Sequence, residues 1–409
     1  MVIEPGQDKS NYRWYILTLS TLTNTLVAAI PGMCLPVLFD EISSELGLSL
    51  VQVGLIWGIS ALPGVFTVLA GGAIGDRFGP KRVLIISCLL VGLTGALRGT
   101  ASSFLSLAAA MFLLGLFSPF ITMNTLKMCG TWFPGHQLGL ASGVLSMGMA
   151  LGFLVSSMLS ATFLSPWLGG WRHVLFFYGG IAMILSIPWF FSRPFPELVQ
   201  GMAPAHHSHS LWQSLGRVAR IRNLWLFGLT ILGVGGCVQG TLGYLPLYLR
   251  GAGWPAASAD GALAAFHTIS MICVIPVALA SDKLGTRKKV LVAGALILVL
   301  GISLLAFVNG AVVWIVVCMA GMVRDGFMAV FMTSIIETEG VGVMYAGTAT
   351  GMVMVFSGIG NLLAPPLGNS LAEVSPGLPF VFWAALAGMG VIGLLTIKER
   401  NARRIPTAG

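Results

Sequence analysis

The sequence predicts an all-α membrane protein, with twelve spanning helices arranged as two pseudo-symmetric bundles of six. Three observations lead there. Hydrophobic residues make up 56% of the 409 positions and charged residues only 9%, with a mean hydropathy of +0.90, leaving too little polar surface to cover a water-soluble globule of this length. The apolar residues fall into runs of about 20, the length a helix needs to cross a bilayer. No run alternates as barrel strands do, and helices and closed barrels are the structures that satisfy backbone groups in hydrocarbon. Finally, the chain repeats itself. GGAIGDRFGPKRVL from Gly71 returns in degraded form as VALASDKLGTRKKVL from Val277, so Asp76 and Asp282 stand 206 residues apart. Gly139-Leu-Ala-Ser-Gly143 is answered by Gly347-Thr-Ala-Thr-Gly351, 208 residues on.

Taken in order, span 1 covers residues 14–39; it is too long for a signal peptide, lacks a small-residue cleavage site and is expected to be retained. Spans 2 (51–75) and 3 (83–102) flank a tight basic turn. Spans 4 (104–127), 5 (137–162) and 6 (172–191) complete a first bundle, residues 1–191. Residues 192–222 form a cytoplasmic linker rich in Pro, Gly and basic residues, within the longest polar stretch, Ser192 to Asn223. Its Leu211–Arg222 part has the pattern of an amphipathic helix lying among lipid headgroups. His206, His207 and His209 read as histidines of a flexible linker, with metal binding as the sharper alternative. Spans 7 (223–248), 8 (257–280), 9 (289–308), 10 (311–335), 11 (344–371) and 12 (378–397) form a second bundle, residues 223–409.

Charge sets the orientation. With the amino terminus in the cytoplasm, all but four of the 22 Lys and Arg residues fall at inward ends; the exceptions are Arg98, Arg172, Arg250 and Arg324. The first outer loop carries Asp40, Glu41 and Glu45 instead. Both termini are therefore expected on the cytoplasmic side of a plasma membrane. This bias accounts for the net charge of +8, so no nucleic-acid partner is expected. Six cysteines are scattered one per apolar segment without a CxxC pair, which reads as core packing rather than a disulfide framework. No P-loop is present, and GVGGCVQG at Gly233 sits inside a span, where small residues let helices approach. No cofactor or metal is expected, and the short loops leave no room for a catalytic domain.

The twelve runs in two halves, the central loop and the motif Gly72-x-x-x-Asp76-Arg77-x-Gly79-x-Lys81-Arg82 together resemble the major facilitator superfamily, along the whole chain. The resemblance implies the major facilitator fold and transport by rocking one half against the other around a central site. It also implies a cytoplasmic gate built from Gly72, Asp76, Arg77, Gly79, Lys81 and Arg82, with Asp282, Gly285, Arg287 and Lys288 in the second copy. An Asp can cap a helix N-terminus and pair with Arg, a contact that would break on each cycle. The plainer alternative is a pure topology signal.

Charges in mid-span cost at least ~2.5–3.5 kcal/mol each on insertion scales. Arg324 and Asp325 lie at the middle of span 10. Adjacent helical residues point about 100° apart, so each is expected to look elsewhere for a partner rather than pair. By the resemblance, spans 1, 4, 7 and 10 line the central cavity. Arg324 is then a candidate clamp for an anionic group, through its fork of donors, and Asp325 a proton-coupling partner; a buried structural network is the alternative. Asn24 in span 1, Asn124 and Lys127 in span 4, and Gln239, Tyr244 and Tyr248 in span 7 are candidate substrate contacts. Tyr244 and Tyr248, four apart, would make an aromatic wall. For Lys127 and Arg98, snorkelling to the headgroups is the alternative reading. His267, mid-span 8, is a candidate proton relay or a hydrogen-bonded core residue. Asn361 precedes Pro365-Pro366 in span 11, where freed carbonyls could face a cavity or simply mark a kink.

Departures from family patterns narrow the substrate class. Drug exporters of the superfamily carry an Arg four residues before a Gly in span 4, whereas Met111 precedes Gly115 here. They also carry a Gly-Pro pair in span 5, and Gly143 to Gly152 contains no Pro. Trp132-Phe133-Pro134, the glycines that follow and a mid-span Arg are more similar to members that move small organic or inorganic anions, the monocarboxylate and cyanate-like branches among them. The expectation is a secondary transporter of a small organic anion, coupled to protons and monomeric. An exporter of amphiphilic or cationic compounds built around Asp325, and a non-transporting receptor, stand as alternatives. No Ser/His, paired-carboxylate or metal-ligand arrangement in the spans points to an enzyme.

Overall fold

The computed structural model describes residues 5–133, 137–193 and 211–397, and these are helical almost throughout. Among the described residues, ten helices are long and apolar enough to cross a membrane, and a shorter apolar helix covers Leu50–Gly64. Each of the twelve apolar runs is helical. Span 2 is divided at Ser60 into Leu50–Ile59 and Ala61–Phe78, and span 9 is the helix Arg287–Leu304, whose first three residues are basic.

Local chemistry sets the helix ends. Ser49 with Gln52 and Ser103 with Ser106 form reciprocal capping boxes that start spans 2 and 4. The turn after each copy of the Asp-basic motif needs a left-handed residue: Gly79 has φ 82° and Gly285 φ 62°. That accounts for the glycine in both copies, since a Cβ there is strained.

By packing, the chain divides into two compact units: Met1–His207 with Leu245–Ala264, and Ser208–Tyr244 with Ala265–Gly409. In the first unit, span 3 packs on spans 4 and 6, and Ala61–Phe78 packs on span 4. Contact between spans 3 and 6 is backbone-close: a Cβ on Gly92 would stand 2.7 Å from the Gly179 carbonyl, and one on Gly179 would stand 2.6 Å from the Gly92 carbonyl. Lipid tails are as apolar as the side chains, so such close van der Waals contact is what holds helices together here. In the second unit, Arg287–Leu304 packs on Val312–Ile336 and Leu378–Thr396, and Gly342–Ser370 packs on the same two helices.

Span 1 is not a regular helix. Its middle, Asn24–Ala29, is a π-helical turn, followed by Pro31. Two carbonyls around this interruption are taken up by side chains from other helices: Ser156 Oγ donates to Ile30 O at 2.9 Å and Arg98 Nη1 to Pro31 O at 2.8 Å; in the other direction, Thr25 Oγ1 of the π turn donates to Gly148 O of span 5 at 2.8 Å. Arg98 is fully buried and also donates to Gly95 O. Snorkelling is thereby corrected: Arg98 turns inward because the broken helix offers acceptors that lipid cannot satisfy.

The linker helix ends earlier than its pattern suggests, at Leu211–Val218, and a turn then leads into Arg222–Gly251. It rests on span 11, where Arg217 Nη1 donates to the Tyr345 hydroxyl at 3.3 Å with its guanidinium over the ring. His206, His207 and His209 lie outside the described residues.

Candidate functional site

In the second unit, the helix Val312–Ile336 carries Arg324 and Asp325 at its centre. They pair with each other, Arg324 Nη1 to Asp325 Oδ1 at 3.3 Å, correcting the expectation that neighbours on a helix would not meet. The long flexible arginine stem folds back far enough to reach the adjacent carboxylate, and the low dielectric of a membrane rewards it. Both side chains stay partly open, 20% and 33% exposed. The pair is therefore held but not sealed.

Span 8 supports this pair from beside it. Ser270 Oγ accepts from the Asp325 backbone N–H at 3.2 Å, tying the two helices at the charged position. His267, one turn before Ser270, is buried and lies within the electrostatic reach of Arg324. Where spans 8 and 10 cross, Gly321 permits contact: a Cβ there would meet the Phe266 carbonyl at 2.6 Å. Residues 266–270 and 321–325 thus form one continuous junction.

On span 7, Gln239 is half-buried, one turn beyond Gly235. A Cβ on Gly235 would stand 3.3 Å from both Asn361 Oδ1 and Ser357 Oγ, so span 11 offers a polar strip along this side of span 7. Tyr244 is buried among Phe380 and Trp383, and its hydroxyl donates to Pro376 O at 3.2 Å. Tyr248, one turn further along the helix, is half-buried.

In the first unit, Asn24 opens the π turn of span 1, and its Oδ1 accepts from Thr125 Oγ1 at 2.9 Å. The neighbouring Asn124 is fully buried, donating to Phe120 O at 2.8 Å with its amide against Gly75. Lys127 is half-buried one turn further along.

The repeated basic turns behave alike. Lys81 donates to Ser192 O at the end of span 6, and Lys288 donates to Leu395 O and Ile397 O, both at 2.7 Å, at the end of span 12. Each lysine places its charge at a helix C-terminus within its own unit, where the dipole favours it. Arg287 pairs with Glu337 (2.7 Å to Oε1) and more loosely with Asp282 (3.4 Å), and the Glu337 contact pushes the arginine pKa above its ordinary value. Arg77 and Arg82 are exposed, with Arg77 over the Phe78 ring. Gly72 and Asp76 lie in the helix Ala61–Phe78, and the side chain of Asp76 is outside what the structure describes.

Ser270, Thr125, Thr162 and Asp260 were not singled out by the sequence. Three are hydroxyls, which are common in spans. Asp260 sits near a span end, where an acid looks solvated; it is in fact fully buried.

Comparison with known proteins gives the same fold. A bacterial homolog of the human lysosomal transporter Spinster, in an inward-facing and occupied conformation, superposes with a TM-score of 0.76 at 15% identity, covering 94% of this chain and 96% of that one. A nucleoside transporter does so at 0.75 and 17%, covering 93% and 98%. By sequence, the chain is 25% identical to a probable sulfoacetate transporter of Cupriavidus necator over 91% of each chain. It is 28% identical to a cis,cis-muconate transport protein of Acinetobacter baylyi over 96% of each. The model of the Major Facilitator Superfamily matches residues 17–344 and 262–408, and the chain is a multi-pass membrane transporter belonging to that superfamily.

Proposed function

We propose that the protein is a secondary active transporter of a small organic anion, coupled to protons and working by alternating access between the two sequence halves, residues 1–191 and 223–409. The observation that carries this reading is the half-open Arg324–Asp325 pair at the centre of a membrane-spanning helix. A permanent cation at that depth is costly, and its pairing with Asp325 can be exchanged for a substrate carboxylate or sulfonate. When the anion takes the guanidinium, Asp325 loses its counter-charge, and in this reading it is the group that links anion binding to proton binding. Support also comes from relatives whose names specify sulfoacetate and muconate, both organic anions.

In this reading Asn24, Asn124, Lys127, Gln239, Tyr244 and Tyr248 orient the substrate, and His267 relays a proton behind Arg324. The two basic turns, Gly72 to Arg82 and Asp282 to Lys288, act as the cytoplasmic gate. The protein works as a monomer in the plasma membrane with both termini in the cytoplasm. The test is thermal stabilisation of the purified protein and of Arg324→Ala by panels of carboxylates, sulfonates, inorganic anions and lipophilic cations. A ligand bound only to the folded state at about 100 times its Kd stabilises by about 2.7 kcal/mol. Selective stabilisation by an organic anion, lost in Arg324→Ala, is expected. Stabilisation by cations that survives the substitution would overturn the assignment and favour an exporter built around Asp325.

A further inference from the structure

One stretch of the second repeat groups with the first repeat by packing. Residues Leu245–Ala264, the end of the helix Arg222–Gly251 and the start of the helix Ala256–Leu284, belong to the first compact unit. Within the earlier helix the change of unit falls between Tyr244 and Leu245, beside Pro246. Proline donates no N–H to the helix ladder and its ring crowds the carbonyl four residues back, so the helix bends most easily there.

A charged cluster fastens this tip inside the first unit. Asp260 is fully buried; its Oδ1 and Oδ2 accept from Arg250 Nη2 at 2.8 and 2.9 Å, and Oδ2 also accepts from Thr162 Oγ1 at 2.8 Å. Arg250 reaches on to Asp40 at 3.4 Å. Glu41, the other acid whose charge reaches Asp260, accepts from Ser165. Arg250 and Asp260 come from the second repeat, Thr162 and Asp40 from the first. Elsewhere on this face the pairing stays within one repeat: Arg172 bonds Glu45 at 2.9 Å and the carbonyls of Gly99 and Ala101. A buried carboxylate is stable only while its partners stay in place, so the tip and its seat separate as a unit or not at all.

We propose that Asp260, Arg250, Thr162 and Asp40 form an outer latch that holds the tip of the second repeat against the first and releases it, with bending at Pro246, each time the protein opens to the outside. The latch rests on the alternating-access reading but not on the identity of the substrate. Its residues touch no transported molecule; they set how often the outward-open state is visited.

Ala262 is fully buried in this tip, so Ala262→Cys reports its release. The probe is a membrane-impermeant maleimide applied from outside to the full chain in sealed vesicles, with the natural-cysteine chain as blank. Labelling is expected to be slow with the latch intact and about tenfold faster in Asp260→Asn and in Arg250→Gln. Adding Pro246→Ala to Asp260→Asn should slow it again, a reversal that general loosening would not give. Thermal melting of each variant shows whether it is folded. Unchanged labelling in folded Asp260→Asn and Arg250→Gln overturns the latch, as does faster labelling seen only where the melting midpoint collapses. Faster labelling in folded variants that carry no anion upholds the latch while removing the substrate assignment.

Discussion

Arg98 and Arg324 are both arginines inside the membrane, and the structure gives them opposite tasks. Arg98 donates to two backbone carbonyls, those of Gly95 and Pro31, which lipid could not satisfy. Arg324 faces a neighbouring carboxylate and keeps part of its surface open. Arg98→Ala should therefore lower stability by about 2–3 kcal/mol, read as a fall in the melting midpoint in detergent, because the Pro31 carbonyl is left buried without a donor. The set of ligands that stabilise the remaining folded protein should not change. Arg324→Ala should do the reverse, melting close to the unsubstituted protein without ligand and losing the response to anions. Asp325→Asn separates clamp from coupling: it should keep anion stabilisation and lose uptake driven by a pH gradient in reconstituted vesicles.

At the scale of elements, the helices are held by close approach and by side chains that repair broken backbone. Gly92→Val would force the Cβ of one helix into the Gly179 carbonyl of the other, and overpacking of this kind costs about 1–3 kcal/mol. The midpoint of thermal unfolding measures it, with Gly180→Val, which meets nothing within 4 Å, as the control on the adjoining surface. Ser156→Ala removes the donor to Ile30 O beside the π turn and should cost about 1 kcal/mol. Its more telling readout is ligand response, since the π turn sets the direction of Asn24. A loss of anion stabilisation without unfolding would tie span 1 to the site.

For the whole molecule, the internal repeat is more than a trace of duplication: it is a mechanical correspondence. Lys81 and Lys288 stand one place apart in the repeat, Lys81 aligning with Arg287 and Lys288 with Arg82, yet each holds the end of the last helix in its own half. Such ties favour two bodies that each move as one piece, which is what the proposed alternating access needs. The proposed proton coupling predicts transport driven by a pH gradient alone in reconstituted vesicles. Uptake of the anion that stabilises the protein, started by an acidic outside and abolished by a protonophore, is the expected result; uptake indifferent to both would remove proton coupling.

The sequence by itself determined the class, the approximate spans, the repeat and the position of the mid-span charge. These follow from composition, from runs of fixed length and from spacing, all local or periodic quantities that a one-dimensional string records. It also required glycine at positions 79 and 285, because a left-handed turn belongs to the residue itself. Only the tertiary structure decided where the polar groups would find their partners. Arg98 could not be told from a snorkelling residue until the carbonyl of Pro31, 67 positions away, appeared beside it. Arg324 and Asp325 were set apart by helix geometry and brought together by side-chain length. Asp260 was not singled out by the sequence, and only the fold shows Thr162 and Arg250 closing over it. In each case the deciding energy is the cost of burying an unpaired polar group, and that cost depends on neighbours in space rather than in sequence.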